Sequence, residues 1–357
     1  MPPTVIGLDI GTSGIRAAEV AHGRRGPQLR RFAAATLPDG TVRAGEVVDP
    51  EALGVALKQL WSRGKFSSKQ VALGLADDSV VVRQADLDWM PEADFRKALR
   101  YQVADVVPLP MDQTNLDHVL LDDFEAPREQ GEGVRRVARI LLVAAPQQLV
   151  DGLVRATESA GLRVVRADLA PLALARATGA GTGTEAVVDI GAETVTVAVH
   201  SSGRPQFVRF LQGLGGAHLT RALQEKFGWE RADAERTKVA AGLLSSARHP
   251  DQPASIDHPA QYLLTDLAAE LVEEIRATLA FSLDAHEDPA GQLDRVVLTG
   301  GGARLGGLPH LAEMVLSVPV VHLEEPGDLR ARRGSRVDDL AELRSVLAVG
   351  LALGGAA

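Results

Sequence analysis

Two aspartates in matching surroundings carry the most chemistry in this chain. Asp9 sits in Val5-Ile6-Gly7-Leu8-Asp9-Ile10-Gly11-Thr12-Ser13-Gly14, and Asp189 in Ala186-Val187-Val188-Asp189-Ile190-Gly191-Ala192-Glu193-Thr194. In each copy an apolar run ends in Asp-Ile-Gly, small or polar residues follow, and an alternating run resumes. Such a carboxylate suits a hydrated Mg²⁺, because hard cations take oxygen ligands and Mg²⁺ keeps several waters. The residues after it predict a tight turn whose successive backbone N–H groups converge as an anion-binding nest. Taken alone, each copy is equally an ordinary β-hairpin with Gly at its turn. Two copies half a chain apart point to a duplicated site that clamps a nucleotide triphosphate and its metal between facing hairpins.

The flanking elements repeat as well. Gly23-Arg24-Arg25-Gly26-Pro27 is a turn before a third strand at Leu29–Ala35, and Ser201-Ser202-Gly203-Arg204-Pro205 precedes one at Gln206–Phe210. Asp49-Pro50 predicts a helix start, with Leu53, Leu57 and Leu60 on one face. From Ser79 to Gly161 the pattern changes to an α+β unit. It has a strand at Val80–Asp88, a helix carrying Phe95, Leu99 and Val103, and strands at Leu116–Leu121 and Val137–Ala144. A charged turn spans Glu125–Arg136, and a helix runs over Gln147–Ser159. A strand at Leu162–Ala167, an apolar helix at Leu169–Ala177 and the joint Gly179–Gly183 lead to the second copy.

Beyond it, Gly213–Thr220 opens a helix whose free N–H groups and positive dipole end suit a phosphate near Gly215 and Gly216. Glu235 and Lys238 share a helix face. The Pro-containing loop His249–Pro259 and the separate His286 show no ligand spacing and are expected to be solvated. Leu263, Leu267, Leu271, Ile275 and Leu279 predict a long amphipathic helix. Arg295–Thr299 then reads as a buried strand running into Gly300-Gly301-Gly302-Ala303-Arg304, where glycines permit close approach to a planar ligand or a phosphate. Leu340, Leu343, Val346, Leu347 and Leu351 predict a final helix with Gly350 close-packed.

At 357 residues there is ample chain for two domains with their own cores. The net charge of −9 argues against nucleic-acid binding, whose footprint is basic. The absence of Cys excludes thiol catalysis, disulfides and Cys-ligated zinc. Met1-Pro2-Pro3-Thr4 lacks a secretory n-region, and no apolar run is long enough to span a bilayer, so a cytoplasmic protein without direct membrane insertion is expected.

The order of parts resembles the superfamily of actin, the heat-shock chaperones and the sugar kinases: an α/β, RNase H-like, duplicated two-lobe ATPase fold. Within it the chain resembles the PilM family of type IV pilus assembly, which shares an inserted subdomain with the division protein FtsA. The residues carrying the likeness include Gly7–Ser13, Leu99-Arg100-Tyr101-Gln102, Val107-Pro108-Leu109-Pro110 and Leu116–Leu120. Gly215–Thr220, Ala234–Lys238, Leu298–Gly302 and Val349–Ala352 complete it. The implied organisation is a first lobe at 1–78 plus 163–180, an inserted unit at 79–162, a second lobe at 181–215 plus 292–357, and its helical subdomain at 216–291.

The resemblance implies an ATP cleft in which Asp9 and Asp189 hold Mg²⁺ through water. Gly11, Thr12, Ser13, Gly191, Ala192, Glu193 and Thr194 would wrap the phosphates, with Gly215 and Gly216 nearby. Glu235 and Lys238 would face the ribose and adenine, and Gly300, Gly301, Gly302 and Arg304 would cradle the adenosine. Arg16 stands where relatives often carry Lys, which implies a phosphate-pairing role. The family also binds the cytoplasmic N-terminal tail of the membrane protein PilN, which would hold the chain at the inner face of the membrane among other pilus assembly proteins. Tyr101, Val107, Pro108 and Leu109 would either line that peptide groove or pack in the core. Many hydrolytic relatives carry an acid just before the Pro of the joint helix, where this chain has Ala170, with Asp168 two residues earlier as a weak catalytic candidate. Slow or negligible hydrolysis is therefore expected. The alternatives are a small-molecule kinase, for which no further catalytic carboxylate stands out, and an FtsA-like tether, which would want a terminal amphipathic helix.

Overall fold

The computed structural model describes residues 4–23, 26–128, 133–179, 183–244, 258–284, 292–323, 330–337 and 346–354. The expected His249–Pro259 loop, apart from its last residues, lies outside these, as do His286, Leu340, Leu343 and the middle of the Gly179–Gly183 joint.

The first lobe opens with β1 (Ile6–Gly11), β2 (Gly14–Gly23) and β3 (Gly26–Thr36), followed by the small hairpin of β4 (Val42–Arg43) and β5 (Glu46–Val47). Helix α1 (Pro50–Gly64) is capped by Asp49, whose side chain accepts the N–H groups of Glu51 and Ala52, and β6 (Gln70–Leu75) follows. The inserted unit comprises β7 (Val81–Asp88), α2 (Glu92–Gln102), β8 (Thr114–Pro127) and β9 (Val134–Pro146). The chain returns through α3 (Gln147–Ser159), β10 (Arg163–Leu169) and α4 (Ala170–Thr178).

The second lobe begins with β11 (Thr184–Ile190), β12 (Thr194–Ser201) and β13 (Arg204–Gln212). Helices α5 (Gly216–Phe227), α6 (Arg231–Ala241) and α7 (His258–Asp284) follow, then β14 (Arg295–Thr299), α8 (Leu308–Leu316) and β15 (Val320–His322). β16 (Arg330–Val337) and α9 (Val346–Leu353) end the described chain.

The duplication extends to topology. The first sheet has the order β10-β6-β1-β2-β3-β16 and the second β13-β12-β11-β14-β15. In each, an antiparallel meander of three strands continues into two parallel ones, with β1 beside β6 and β11 beside β14. Parallel strands buried on both faces need continuous apolar runs, which Val71–Leu73 and Val296–Leu298 supply.

Three expectations change. The charged Glu125–Arg136 stretch is strand at both ends, because β8 runs to Pro127 and β9 starts at Val134, with Glu125 opposite Arg136 in the ladder. Alternating opposite charges across strands stabilise an exposed pair that composition alone reads as a loop. Helix α3, expected in the inserted unit, buries Leu153 and Ala156 in the core of the first lobe with Leu53, Leu57 and Ile6. The inserted core is accordingly α2 with β7 to β9, built on Phe95, Leu99, Val103, Ile140 and Leu142. Lastly, residues 292–357 divide between the lobes. β14, α8 and β15 stay in the second, whereas β16 pairs with β3 and α9 packs on the first through Ala348, Val349 and Ala352 against Ala18, Val20 and Phe32.

Helix α9 is held at very short range. A Cβ on Gly350 would stand 1.9 Å from the carbonyl oxygen of Ala173 in α4, and one on Gly7 1.9 Å from that of Ala348. No side chain fits at either contact. The inserted unit, joined by chain to the first lobe, also touches the second. The Gln84 amide donates to the Gln206 carbonyl at 2.9 Å, and Arg204 donates to the Leu121 carbonyl at 3.0 Å.

Candidate functional site

Both hairpins end where their lobes face each other. Asp9 lies opposite Arg16 in the β1–β2 register, and Asp189 opposite Thr196 in β11–β12. Side chains alternate along a strand, so these paired positions project on one face of each sheet. Arg16 bonds Asp9 at 3.1 Å, with 14% of each side chain exposed. Burial raises the Asp9 carboxyl above the ordinary carboxylate range, and Arg16 works against that rise. Asp189 has no cation of its own in the register. Burial and then the negative charge of Asp9 push it up to about 7, with Arg16 opposing from across the cleft. The charge of Asp9 thus reaches Asp189 from the other hairpin, two acids served by one guanidinium. That imbalance fits a divalent cation. Among the described residues no cluster of three or more His, Asp or Glu could hold a metal, and a water-rich Mg²⁺ needs no more than the two carboxylates.

The connections after each Asp-Ile-Gly come together at the cleft. The Thr12 hydroxyl donates to a Glu193 carboxylate oxygen at 3.4 Å, and the Ala44 N–H donates to the same oxygen at 3.0 Å. Gly191 closes its own turn by donating to the Thr194 carbonyl at 3.0 Å.

The N-terminus of α5 differs from expectation. The N–H groups of Gly216 and Ala217 donate to the carbonyls of Gly191 at 2.9 Å and Ala192 at 2.8 Å. They are committed to seating the second hairpin, whose backbone lies so close that a Cβ on Gly215 would meet the Ala192 oxygen at 2.4 Å. The Gly pair thus positions the hairpin instead of offering those two N–H groups to a ligand.

Behind the second hairpin, Lys238 donates to the Gly216 carbonyl and the Thr220 hydroxyl, both at 2.9 Å, and to Glu235 at 2.7 Å. Thr220 donates in turn to Glu235 at 2.6 Å. Burial opposes the Glu235 charge, but bonds from Lys238 and Thr220 outweigh it and hold the carboxyl below its ordinary value. Gly300 has φ +89° and leaves 2.7 Å between its Cβ position and an Asp189 oxygen, so only Gly serves there. The Cβ position of Gly301 meets nothing within 4 Å, and that of Gly216 lies 3.8 Å from the Gly302 Cα and 3.6 Å from the Lys238 ammonium. Gly216, Lys238 and Gly302 thus gather beside the second hairpin. Arg304, exposed, ends the short turn Gly302–Arg304, whose Ala303 is buried in the second-lobe core.

Asp168 has another engagement. It pairs with Arg176 and, at 3.6 Å, with Arg166. Arg166 also bonds the carbonyls of Leu351 and Gly354 at 2.7 Å, and Arg176 that of Gly350 at 3.3 Å. This cluster holds the C-terminal end of α9, where carbonyls lack intrahelical partners and the dipole favours cations. The charge acting on Asp9 is that of Arg16, and those acting on Asp189 are those of Asp9 and Arg16. Sequence reasoning missed Thr220, Arg221 and the Ala44 N–H. Thr220 ends the quoted Gly-Gly motif and was within reach, but nothing local marks the other two.

In the inserted unit, Tyr101 is 82% exposed at the end of α2 and Pro108 is exposed, whereas Val107 is buried in the core and Leu109 packs against it.

Two facing hairpins with paired aspartates, on duplicated sheets carrying an inserted subdomain, define an actin-like ATPase fold. The solved structure of MreB 5 of Spiroplasma citri bound to AMPPNP shares that fold (TM-score 0.55, 13% identity, 99% of this chain and 96% of that one). The chain belongs to the type IV pilus assembly protein PilM family, whose model matches residues 7–356. A solved PilM-PilN type IV pilus biogenesis complex is 27% identical with a TM-score of 0.81 over 99% of both chains. The cell division protein FtsA of Streptococcus pneumoniae is 26% identical over 344 residues, 88% of this chain and 74% of that protein. Among the described residues no helix is long and apolar enough to cross a membrane.

Proposed function

We propose that this chain is a cytoplasmic ATP-binding adaptor of pilus assembly. It takes MgATP between its lobes and the N-terminal tail of a PilN-like membrane protein on its inserted unit, hydrolyses ATP slowly or not at all, and works at the inner face of the membrane through that partner. The observation that carries the reading is the carboxylate pair, in which Asp189 is pushed up to about 7 by burial and by Asp9. Such a pair favours a cation, and with it a polyphosphate. Gly11, Thr12, Ser13 and Ala192 would wrap the phosphates, with Arg16 pairing them, and Glu235, Lys238, Gly301, Gly302 and Arg304 would face the ribose and base. Bound Mg²⁺ would supply charge neutralisation for the phosphates.

Slow hydrolysis follows from what the joint lacks. Ala170 is buried where relatives carry an acid that would help to place water, and Asp168, two residues earlier, is tied to Arg166 and Arg176. Gating follows from the bonds of Gln84 and Arg204, since a change in lobe angle alters the seat of the inserted unit. A nucleotide that binds the closed state better shifts that angle.

The test is calorimetry with MgATP, then with a PilN-like N-terminal peptide, on the unsubstituted chain and on Tyr101→Ala. Nucleotide-dependent peptide binding that weakens in the variant is expected. Peptide affinity independent of nucleotide removes the gating, and turnover near ~1 s⁻¹ removes the adaptor reading in favour of a working kinase or ATPase. The likeness to FtsA keeps a division tether as a second reading. Direct sedimentation of the chain with lipid vesicles, without any peptide, would favour it.

A further inference from the structure

The side chain of Glu193 is not needed by its own hairpin. The turn is closed by the Gly191 N–H on the Thr194 carbonyl, and Glu193 contributes only its carbonyl, which accepts the Gly213 N–H at 2.9 Å. Its carboxylate instead crosses the cleft. One oxygen accepts from the Thr12 hydroxyl at 3.4 Å and the Ala44 N–H at 3.0 Å, both in the first lobe. The other lies 3.6 Å from the guanidinium of Arg221, on α5 of the second lobe. A hydroxyl, a backbone N–H and a guanidinium converging from two sides are the donor set that a phosphoryl group takes. Beside them lies a cavity of about 220 Å³, lined among others by Thr12, Arg43, Glu193, Thr220, Arg221 and Arg231. Its rim is spanned by an ion pair of Arg231 with Asp39 at 2.6 Å, again between lobes.

We propose that the Glu193 carboxylate stands in for a terminal phosphate, latching the two lobes through its donors and setting the preference of the cleft between nucleoside triphosphates and diphosphates. This rests on the nucleotide-binding reading above. A terminal phosphate would take the same donors, the Thr12 hydroxyl and the Arg221 guanidinium. Two anions do not share one donor set, so the carboxylate is displaced and the like-charge repulsion falls on the triphosphate alone. A diphosphate, lacking that terminal phosphate, would leave the latch in place. Specificity here comes from a built-in repulsive element as much as from attraction. The same exchange turns the lobe contact from one internal to the chain into one made by the ligand, which gives the terminal phosphate a differential grip on the closed state.

The test compares Glu193→Gln and Glu193→Ala with the unsubstituted chain, measuring MgATP and MgADP affinities by calorimetry. Both variants are expected to raise the ratio of ATP to ADP affinity at least tenfold, and a ratio within twofold of the unsubstituted chain in both overturns the specificity claim. The chain has no Cys, so spin labels at Glu46→Cys and Glu225→Cys, exposed positions on β5 and α5, report the lobe separation without background. Without nucleotide, Glu193→Gln is expected to lengthen and broaden that distance distribution, and an unchanged distribution overturns the latch. Should the unsubstituted chain bind neither nucleotide, the nucleotide reading fails, and the spin-label distances alone decide the latch.

Discussion

Lowering the pH at fixed Mg²⁺ concentration tests the carboxylate pair directly. Asp189 is pushed up to about 7 because its carboxylate is buried and feels the charge of Asp9, while Arg16, which opposes that rise, sits on the strand opposite Asp9. A carboxyl raised in this way holds its proton in the folded apoprotein at pH values where the unfolded chain has lost it. Its contribution to apoprotein stability is therefore full below the ordinary carboxylate range and is lost as the pH rises towards 7. Metal binding runs the other way, because the ligand must be deprotonated and Mg²⁺ competes with a proton. Mg²⁺ affinity should be flat above pH 8 and fall about tenfold per unit below 7, so about a hundredfold at pH 5. Calorimetry in two buffers of different ionisation enthalpy should count about one proton released per Mg²⁺ at pH 6 and almost none at pH 8.5. Asp9→Asn removes the like charge and should move the whole profile to lower pH. Affinity constant between pH 5 and 8, with no proton release, would refute the shared-crevice argument.

Three further outcomes follow from packing and hydrogen bonds. Gly350→Ala places a Cβ 1.9 Å from the Ala173 oxygen, forcing α4 and α9 apart, and should cost about 3 kcal/mol in urea unfolding. Lys238→Ala leaves the Gly216 carbonyl, Thr220 and Glu235 without their common donor, and should weaken ATP binding at least tenfold while far-ultraviolet circular dichroism stays unchanged. Asp168→Asn should lower the melting temperature by loosening Arg166 and Arg176 at the end of α9, yet leave ATP affinity and turnover within twofold, and a large loss of turnover would restore its catalytic candidacy.

The amino-acid sequence by itself determined the elements and the duplication. Continuous apolar runs ending in Asp-Ile-Gly, leucines on helical spacing and an Asp-Pro helix start are local patterns, and each names its element without help from elsewhere. The helix Gln147–Ser159 and the strands on either side of Thr12 and Ala192 were legible for that reason. Tertiary structure alone decided which surfaces those elements share. Residues 292–357 divide between lobes because Gly7 and Gly350 let α9 approach β1 and α4, a fit between distant backbones that neither stretch encodes. The N–H groups of Gly216 and Ala217 looked available to a phosphate, and the second hairpin took them. Glu193 read as one more turn residue until the fold brought Thr12, Ala44 and Arg221 round its carboxylate. Asp9 and Asp189 look alike in the sequence and differ in the fold, because one faces Arg16 across its own hairpin and the other faces a threonine. Periodicity specifies an element from within. A site belongs to the space between elements, where burial and the charges brought alongside set what each group can do.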